Sequence, residues 1–276
     1  MSYVASMKQN VSPISRMISA KAVKRLLDAG CESPQREAQM IFEHVQGDEA
    51  RFEELLKRRE AREPLSQILG ERGFWEHDFI VNEHVLTPRP DSEVLIEEAL
   101  KCLPNKEKPY RFLDLGTGSG CLILTLLHEF PNASAVAVDK SPEALAVANR
   151  NAQKLGFQNR VEFQQADWAE SLTEGFDLVI SNPPYIPMHS YEGLMPEVRD
   201  HEPIMALVGG EDGLEFYRTI SAQAPAILQQ GGWLIFEVGI GQTDQVAALA
   251  EQNGFDLHKI RKDYGGIERA VILQKR

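Results

Sequence analysis

The sequence predicts an α/β protein: a doubly wound, mostly parallel sheet with an antiparallel hairpin at one edge, preceded by a small helical domain. Three observations predict it. From residue 111 onward, short apolar runs alternate with helical periodicities, the pattern of βα units that builds a parallel sheet. The last two runs, 257–261 and 270–274, have no full helix between them, which predicts an antiparallel pair. Residues 13–63, in contrast, carry apolar residues at three- and four-residue steps, the spacing of one helical face.

The helical part comes first. Ile14, Met17, Ile18, Val23, Leu26 and Leu27 form an apolar face that stops at Gly30. Ser33-Pro34 restarts a helix as N-cap and first helical residue, with Ala38, Ile41, Phe42 and Val45 on one face. A third helix carries Phe52, Leu55 and Leu56 before Pro64. Its basic run Lys57-Arg58-Arg59 alternates with Glu53, Glu54, Glu60 and Glu63, so it reads as a solvated helical face rather than a nucleic-acid patch.

Gly73-Phe74-Trp75 and residues 78–81 read as two short strands of a hairpin. Thr87-Pro88-Arg89-Pro90-Asp91 is a stiff lead-in to the next helix, with Asp91 or Ser92 as its cap. Arg89 is either a solvated linker charge or a wall of the active site. We place the boundaries at 1–70 for the helical domain, 71–90 for a hairpin linker and 91–276 for the α/β domain. Within the last, the expected strands are 111–115, 135–139, 161–165, 177–181 and 233–238, then the closing pair.

Composition limits the function. With 276 residues, 43% hydrophobic and 25% charged, the chain has room for one large domain and a small one. A formal charge of −12 argues against a broad basic face for nucleic acid. Cys31, Cys102 and Cys121 are odd in number and lack C-x-x-C spacing, the expectation being reduced thiols, neither a disulfide framework nor a zinc site. Residues 1–12 lack the apolar stretch of a signal peptide, and no run approaches the length of a bilayer span. We expect a cytoplasmic protein without membrane contact and without a bound metal.

The chemistry-bearing motifs fall at strand ends. Asp114-Leu115-Gly116-Thr117-Gly118-Ser119-Gly120 follows the first strand of the α/β domain. Glycines there let a bound molecule approach the backbone, and the following helix N-terminus favours a negative group. The third glycine comes one position earlier than in the dinucleotide fingerprint. Asp139, 23 residues after Gly116, ends the next strand, where an acidic side chain accepts from ribose hydroxyls. Asp167-Trp168 ends the third, an acceptor and a flat ring for an adenine edge and face. Without a second dinucleotide half or a phosphate-gripping lysine, S-adenosylmethionine suits these residues better than NAD or ATP.

The fourth strand stops at Asn182-Pro183-Pro184-Tyr185. Two prolines lack N–H groups and restrict φ, so the tetrapeptide makes a stiff corner. Asn182 offers a side-chain oxygen, Pro183 a carbonyl without a helical partner, and Tyr185 a ring to close over the site. Such a corner suits a planar group carrying an NH2.

These motifs resemble those of class I S-adenosylmethionine-dependent methyltransferases, with a Rossmann-like seven-stranded sheet, and specifically the HemK/PrmC family of release-factor glutamine methyltransferases. The flanking stretches carry the specific resemblance: residues 86–93 around Arg89, 198–207 after the corner and 263–269 near the end. Gln67 departs from the family's common Tyr, and Ser92 from its frequent Thr.

The resemblance implies methylation of the side-chain amide nitrogen of the glutamine in the Gly-Gly-Gln loop of class I peptide chain release factors, with S-adenosyl-L-homocysteine as the product. It also implies a substrate-binding role for the helical domain and a monomer that needs no nucleic acid. Asn182, Pro183 and Tyr185 would be catalytic, with Pro184 and Arg89 also on the substrate. Gly116, Thr117, Gly118, Ser119, Gly120, Asp139, Asp167, Trp168 and Asn182 would hold the cofactor. Residues 186–212 are expected to shape the mouth for a protein loop. The alternatives are an adenine-N6 nucleic-acid methyltransferase, which shares Asn-Pro-Pro-Tyr, and a binding module without turnover.

Overall fold

The computed structural model describes residues 13–170, 172–173 and 175–276, and side-chain surroundings from residue 20 onward. The expectation for residues 1–12, and the core positions expected of Ile14, Met17 and Ile18, lie outside what it describes. The chain divides into two compact units, Met1–Leu69 and Gly70–Arg276.

Among the described residues, the first unit holds four helices: α1 (Pro13–Asp28), α2 (Pro34–His44), α3 (Glu49–Glu60) and the short α4 (Leu65–Leu69). Its core joins Leu26, Ile41, Leu55 and Leu56, with Ala38, Phe52 and Ile68 around them. Leu27, expected on the apolar face, is instead 61% exposed; Leu26, one position earlier, takes the inward direction. Ser33 occupies the N-cap of α2 without a side-chain capping bond, and Asp48 caps α3 by accepting from the Arg51 N–H. The basic run is not one solvated face. Arg59 is buried and donates to Glu37 at 2.6 Å, and Arg58 pairs with Glu63. Arg59 goes inside because Glu37 is there to neutralise it, the condition under which a buried charge is tolerated.

The second unit opens with an antiparallel hairpin, β1 (Glu71–Phe74) and β2 (His77–Ile80). Trp75 sits in the turn between them with φ +55°. This hairpin, expected as a linker, packs into the second unit: Phe74 and Phe79 are fully buried in its core.

Next come α5 (Glu93–Cys102), β3 (Arg111–Leu115), α6 (Cys121–Glu129) and β4 (Ser134–Asp139). They are followed by α7 (Pro142–Leu155), β5 (Val161–Gln165) and β6 (Phe176–Ser181). After the short α8 (Pro196–Arg199), α9 (Glu215–Ile227) leads into β7 (Leu228–Glu237). The chain ends with α10 (Thr243–Gln252), β8 (Phe255–Lys262) and β9 (Glu268–Lys275).

The strands form one seven-stranded sheet in the order β5-β4-β3-β6-β7-β9-β8. Strands β3 to β7 pair in parallel, and β9 runs antiparallel to both β7 and β8, as the closing pair predicted. Central strands β3 and β6 are buried nearly throughout, as strands covered on both faces must be. Edge strand β8 is exposed or half-buried after Phe255 and carries Asp256, Lys259, Arg261 and Lys262, charges that discourage pairing with another chain. Chain order reverses between β3 and β6, the switch point where ligands bind in open α/β sheets.

Asn151, inside α7, fastens three parts of this unit. Its Oδ1 accepts from the Ile80 N–H at 2.7 Å, and its Nδ2 donates to the carbonyls of Ile80 and Ser119 at 3.0 and 2.9 Å. The side chain is fully buried. Asn151→Ala is therefore expected to cost about 1–3 kcal/mol for each buried group left unpaired, measured as a lower urea midpoint.

Candidate functional site

A cavity of about 260 Å³ opens at the carboxyl ends of β3, β4, β5 and β6. It is built from the glycine loop upward. Gly116, Gly118 and Gly120 have φ of +76°, +54° and +80°, the left-handed region that glycine reaches without strain. At Gly116 a Cβ would also stand 3.4 Å from the Trp168 ring. The loop's shape is held from below: the buried Asp114 accepts from the Thr117 hydroxyl at 2.7 Å. Burial pushes the Asp114 carboxyl up to about 7, and its Oδ1 is buried without a hydrogen-bond partner among the described residues.

Asp139 ends β4 on the cavity wall. Its Oδ2 accepts from the Gly118 N–H at 2.9 Å and its Oδ1 from the Ser141 N–H at 3.0 Å. Burial raises its pKa. Each oxygen keeps a second lone pair, so the carboxylate shapes the loop and still faces the cavity. The capping of α7 falls to Ser141, whose hydroxyl accepts from the Ala144 N–H. Asp167, half exposed, pairs with Lys140 at 2.8 Å. Trp168, at φ +55°, stands against Phe216 with ring centroids 4.9 Å apart and makes a flat aromatic wall.

The corner after β6 supplies the opposite wall through Asn182 and Pro184. Pro183 and Tyr185 belong to the same corner without lining this cavity. The Tyr185 ring packs on the core of the sheet, and burial pushes its phenol up to about 12. Two supports of the corner were missed in the sequence. Gln242 Nε2 donates to the Tyr185 carbonyl at 3.0 Å and to the Gly213 carbonyl at 3.3 Å, while its Oε1 accepts from the Gly239 N–H. Gly209 lies so close to the Pro184 carbonyl that a Cβ there would collide with it. A lone Gln or Gly carries no sequence pattern that would have found either.

Residues 186–212 run back along the corner. The Ile186 N–H donates to the Leu207 carbonyl, and the Gly209 N–H to the Ile186 carbonyl, both at 2.9 Å. Arg89 decides where this segment sits: its Nη2 donates to both oxygens of Glu202, at 2.9 and 2.7 Å. The Thr87 N–H adds a third bond to the same carboxylate. Arg89 also lines the cavity, so both of its sequence readings describe it in part. Ser92, expected as a cap, makes no capping bond to α5: its backbone is already helical rather than extended, and its hydroxyl is turned to Glu237.

Together these residues suit a cationic nucleoside. Asp139 and Asp167 line the cavity beside the glycine loop, and the buried Asp114 lies beneath it, a setting that favours sulfonium and ammonium groups. The unpartnered Asp114 oxygen points the same way. A flat ring and a glycine-lined backbone complete a wall that a purine nucleoside can lie against.

The fold and this site define a methyltransferase: a family described as Methyltransferase domain matches residues 106–258. A release factor glutamine methyltransferase of Rhodospirillum rubrum is 42% identical, over 94% of this chain and 86% of its own. One from Geobacter sulfurreducens is 46% identical, over 79% of this chain and 75% of its own. The chain belongs to the release factor glutamine methyltransferase family. In fold alone, it is also similar to a T. thermophilus 16S rRNA N2 G1207 methyltransferase, at TM-score 0.52 and 20% identity over 75% of this chain and 50% of that one. Among the described residues, no helix is long and apolar enough to cross a membrane.

Proposed function

We propose that this protein transfers a methyl group from S-adenosylmethionine to the side-chain amide nitrogen of the glutamine in the Gly-Gly-Gln loop of class I peptide chain release factors. The observation that carries the reading is that the glycine loop, Asp139, Trp168 and Asn182 line one cavity in a chain of this family.

In this reading Gly116 to Gly120, Asp139, Asp167 and Trp168 hold the nucleoside and its amino-acid tail. When bound, S-adenosylmethionine supplies an electrophilic methyl carbon on a sulfonium. The chain's own contribution is to make a poor nucleophile attack. An amide nitrogen is unreactive because its lone pair is delocalised into the carbonyl. Asn182 Oδ1 and the Pro183 carbonyl accept the two N–H bonds of the substrate amide, which fixes its plane and polarises it. Positioning of this kind is worth up to roughly 7–11 kcal/mol in the best intramolecular reactions. No strong base is needed first, since the nitrogen acidifies as it is alkylated.

Pro184 and Arg89 border the substrate's approach, and Tyr185 backs the corner. The helical unit serves as a docking surface for the protein substrate, a reading supported by relatives that match 94% of the chain. We assign the enzyme to the cytoplasm as a monomer.

The test is to incubate the protein with a class I release factor and a labelled methyl donor, then map the label. Label on the Gly-Gly-Gln glutamine is expected. Label on adenine in DNA or RNA would overturn the substrate assignment.

A further inference from the structure

Ser92 and Glu237 take no part in the mechanism above, yet both are buried beside Asn182. They arrive from different elements: Ser92 precedes α5, Glu237 ends β7, and Asn182 follows β6. The Ser92 hydroxyl donates to Glu237 Oε2. Asn182 Nδ2 donates to Ser92 Oγ at 3.4 Å, and the Asn182 side chain lies close enough to the Glu237 carboxyl to favour its ionised form.

The chemistry of these partners is one-sided. A serine hydroxyl has a single proton, and once that proton is committed to Glu237 its oxygen only accepts toward Asn182. An ionised carboxylate only accepts. Both groups at this end of Asn182, Ser92 at the cavity's inner edge and Glu237 behind it, are therefore acceptors, and only its NH2 end satisfies them. The two ends of a carboxamide have nearly the same size, so packing alone would leave either one facing the cavity. An NH2 facing the cavity would meet the N–H bonds of the substrate amide donor to donor.

We propose that the Ser92–Glu237 pair fixes the amide of Asn182 with Oδ1 turned to the substrate, making both side chains positioning residues for methyl transfer. The inference rests on the reading of Asn182 as the acceptor for the substrate amide. A buried carboxylate is expensive to keep, and this one is pushed up to about 7 by its burial, with Arg269 nearby only partly offsetting it. An apolar residue would serve packing at lower cost. What a carboxylate adds is a preference for one end of the amide.

Three variants and two readouts test this. Glu237→Gln keeps the shape but offers an NH2 toward Asn182, and is expected to lower kcat for release-factor methylation about 100-fold, as misplacement at a reacting centre does. Cofactor Kd should stay near that of the unmodified enzyme, and the melting temperature should not fall, since the neutral amide removes the cost of a buried carboxylate. Ser92→Ala is expected to lose turnover in the same way, and Ser92→Thr, which keeps the hydroxyl, to recover most of it.

The second readout is a neutron structure, or X-ray data at about 1.2 Å or better, of the unmodified protein, expected to place Oδ1 of Asn182 toward the cavity. Nδ2 on the cavity side would overturn the inference, as would unchanged kcat in Glu237→Gln. An unmodified enzyme that fails to label release factor would refute the proposed substrate, while the orientation of Asn182 would still be read from the diffraction data.

Discussion

Asn182→Ala is expected to reduce methyl transfer to a release factor by about 10²–10³-fold, the loss seen when one preorganised polar contact to a reacting centre is removed. Cofactor binding should persist, because the glycine loop, Asp139 and Trp168 lie on other strand ends. Isothermal titration with the methyl donor and single-turnover kinetics separate the two effects. Asn182→Asp makes a sharper comparison. It keeps an acceptor but sets a second carboxylate against Glu237, which is already pushed up to about 7. Like charges at one buried site disfavour ionisation of both, so this variant should lose turnover and also stability as pH rises through neutrality. An Asn182→Ala enzyme with undiminished turnover would remove the corner from the mechanism.

Asp114→Asn is expected to stabilise the protein while weakening its hold on the methyl donor. The Asp114 carboxyl is pushed from 3.8 to about 7 mainly by its burial, against the opposing hydrogen bond from Thr117. A raised folded-state pKa means that the unfolded chain ionises first. The group's favourable contribution is therefore full below about 4 and is lost as pH rises through about 7. Asn182 and Glu237 are left unaltered by this change, and the neutral amide removes the penalty at Asp114 alone. The gain in melting temperature over the unmodified protein should be small at pH 5 and larger at pH 8. Carboxylates held down by hydrogen-bond donors, such as Glu97 beside Tyr264 and Arg261 and Asp212 beside Arg218, shift stability in the opposite sense, but they are common to both proteins and cancel in the difference. The same substitution removes a negative charge beneath the glycine loop and should weaken binding of the cationic methyl donor at least about tenfold. A variant that gains nothing at pH 8, measured by thermal unfolding, would show that Asp114 is not a stability cost.

Much of this arrangement is legible along the chain because its signals are local. Glycines that need positive φ, an acid at the end of a strand and a double proline after an apolar run each report on backbone that depends on its immediate neighbours. For that reason Gly116 to Gly120, Asp139, Trp168 and Asn182 are placed at strand ends by the sequence alone. The seven strands were readable from alternation alone, and so was the antiparallel closing pair. Arg59 was misread for the complementary reason. Its helix neighbours are acidic and solvated, but the partner that draws it inside, Glu37, lies 22 residues away on another helix. Leu27 shows how coarse periodicity is: one step around the helix separates a buried Leu26 from an exposed neighbour.

By itself the sequence determined the succession of elements, the switch-point position of the glycine loop and the chemistry available at each strand end, since turn geometry and apolar periodicity act within a few residues. Only the tertiary structure decided which distant groups meet: Arg89 with Glu202 across 113 residues, Asn182 with Ser92 across 90, and Ser92 with Glu237 across 145. Those pairings depend on the order in which strands join the sheet. A hydroxyl that reads as a helix cap donates its hydrogen bond to a buried carboxylate once folding brings the two together.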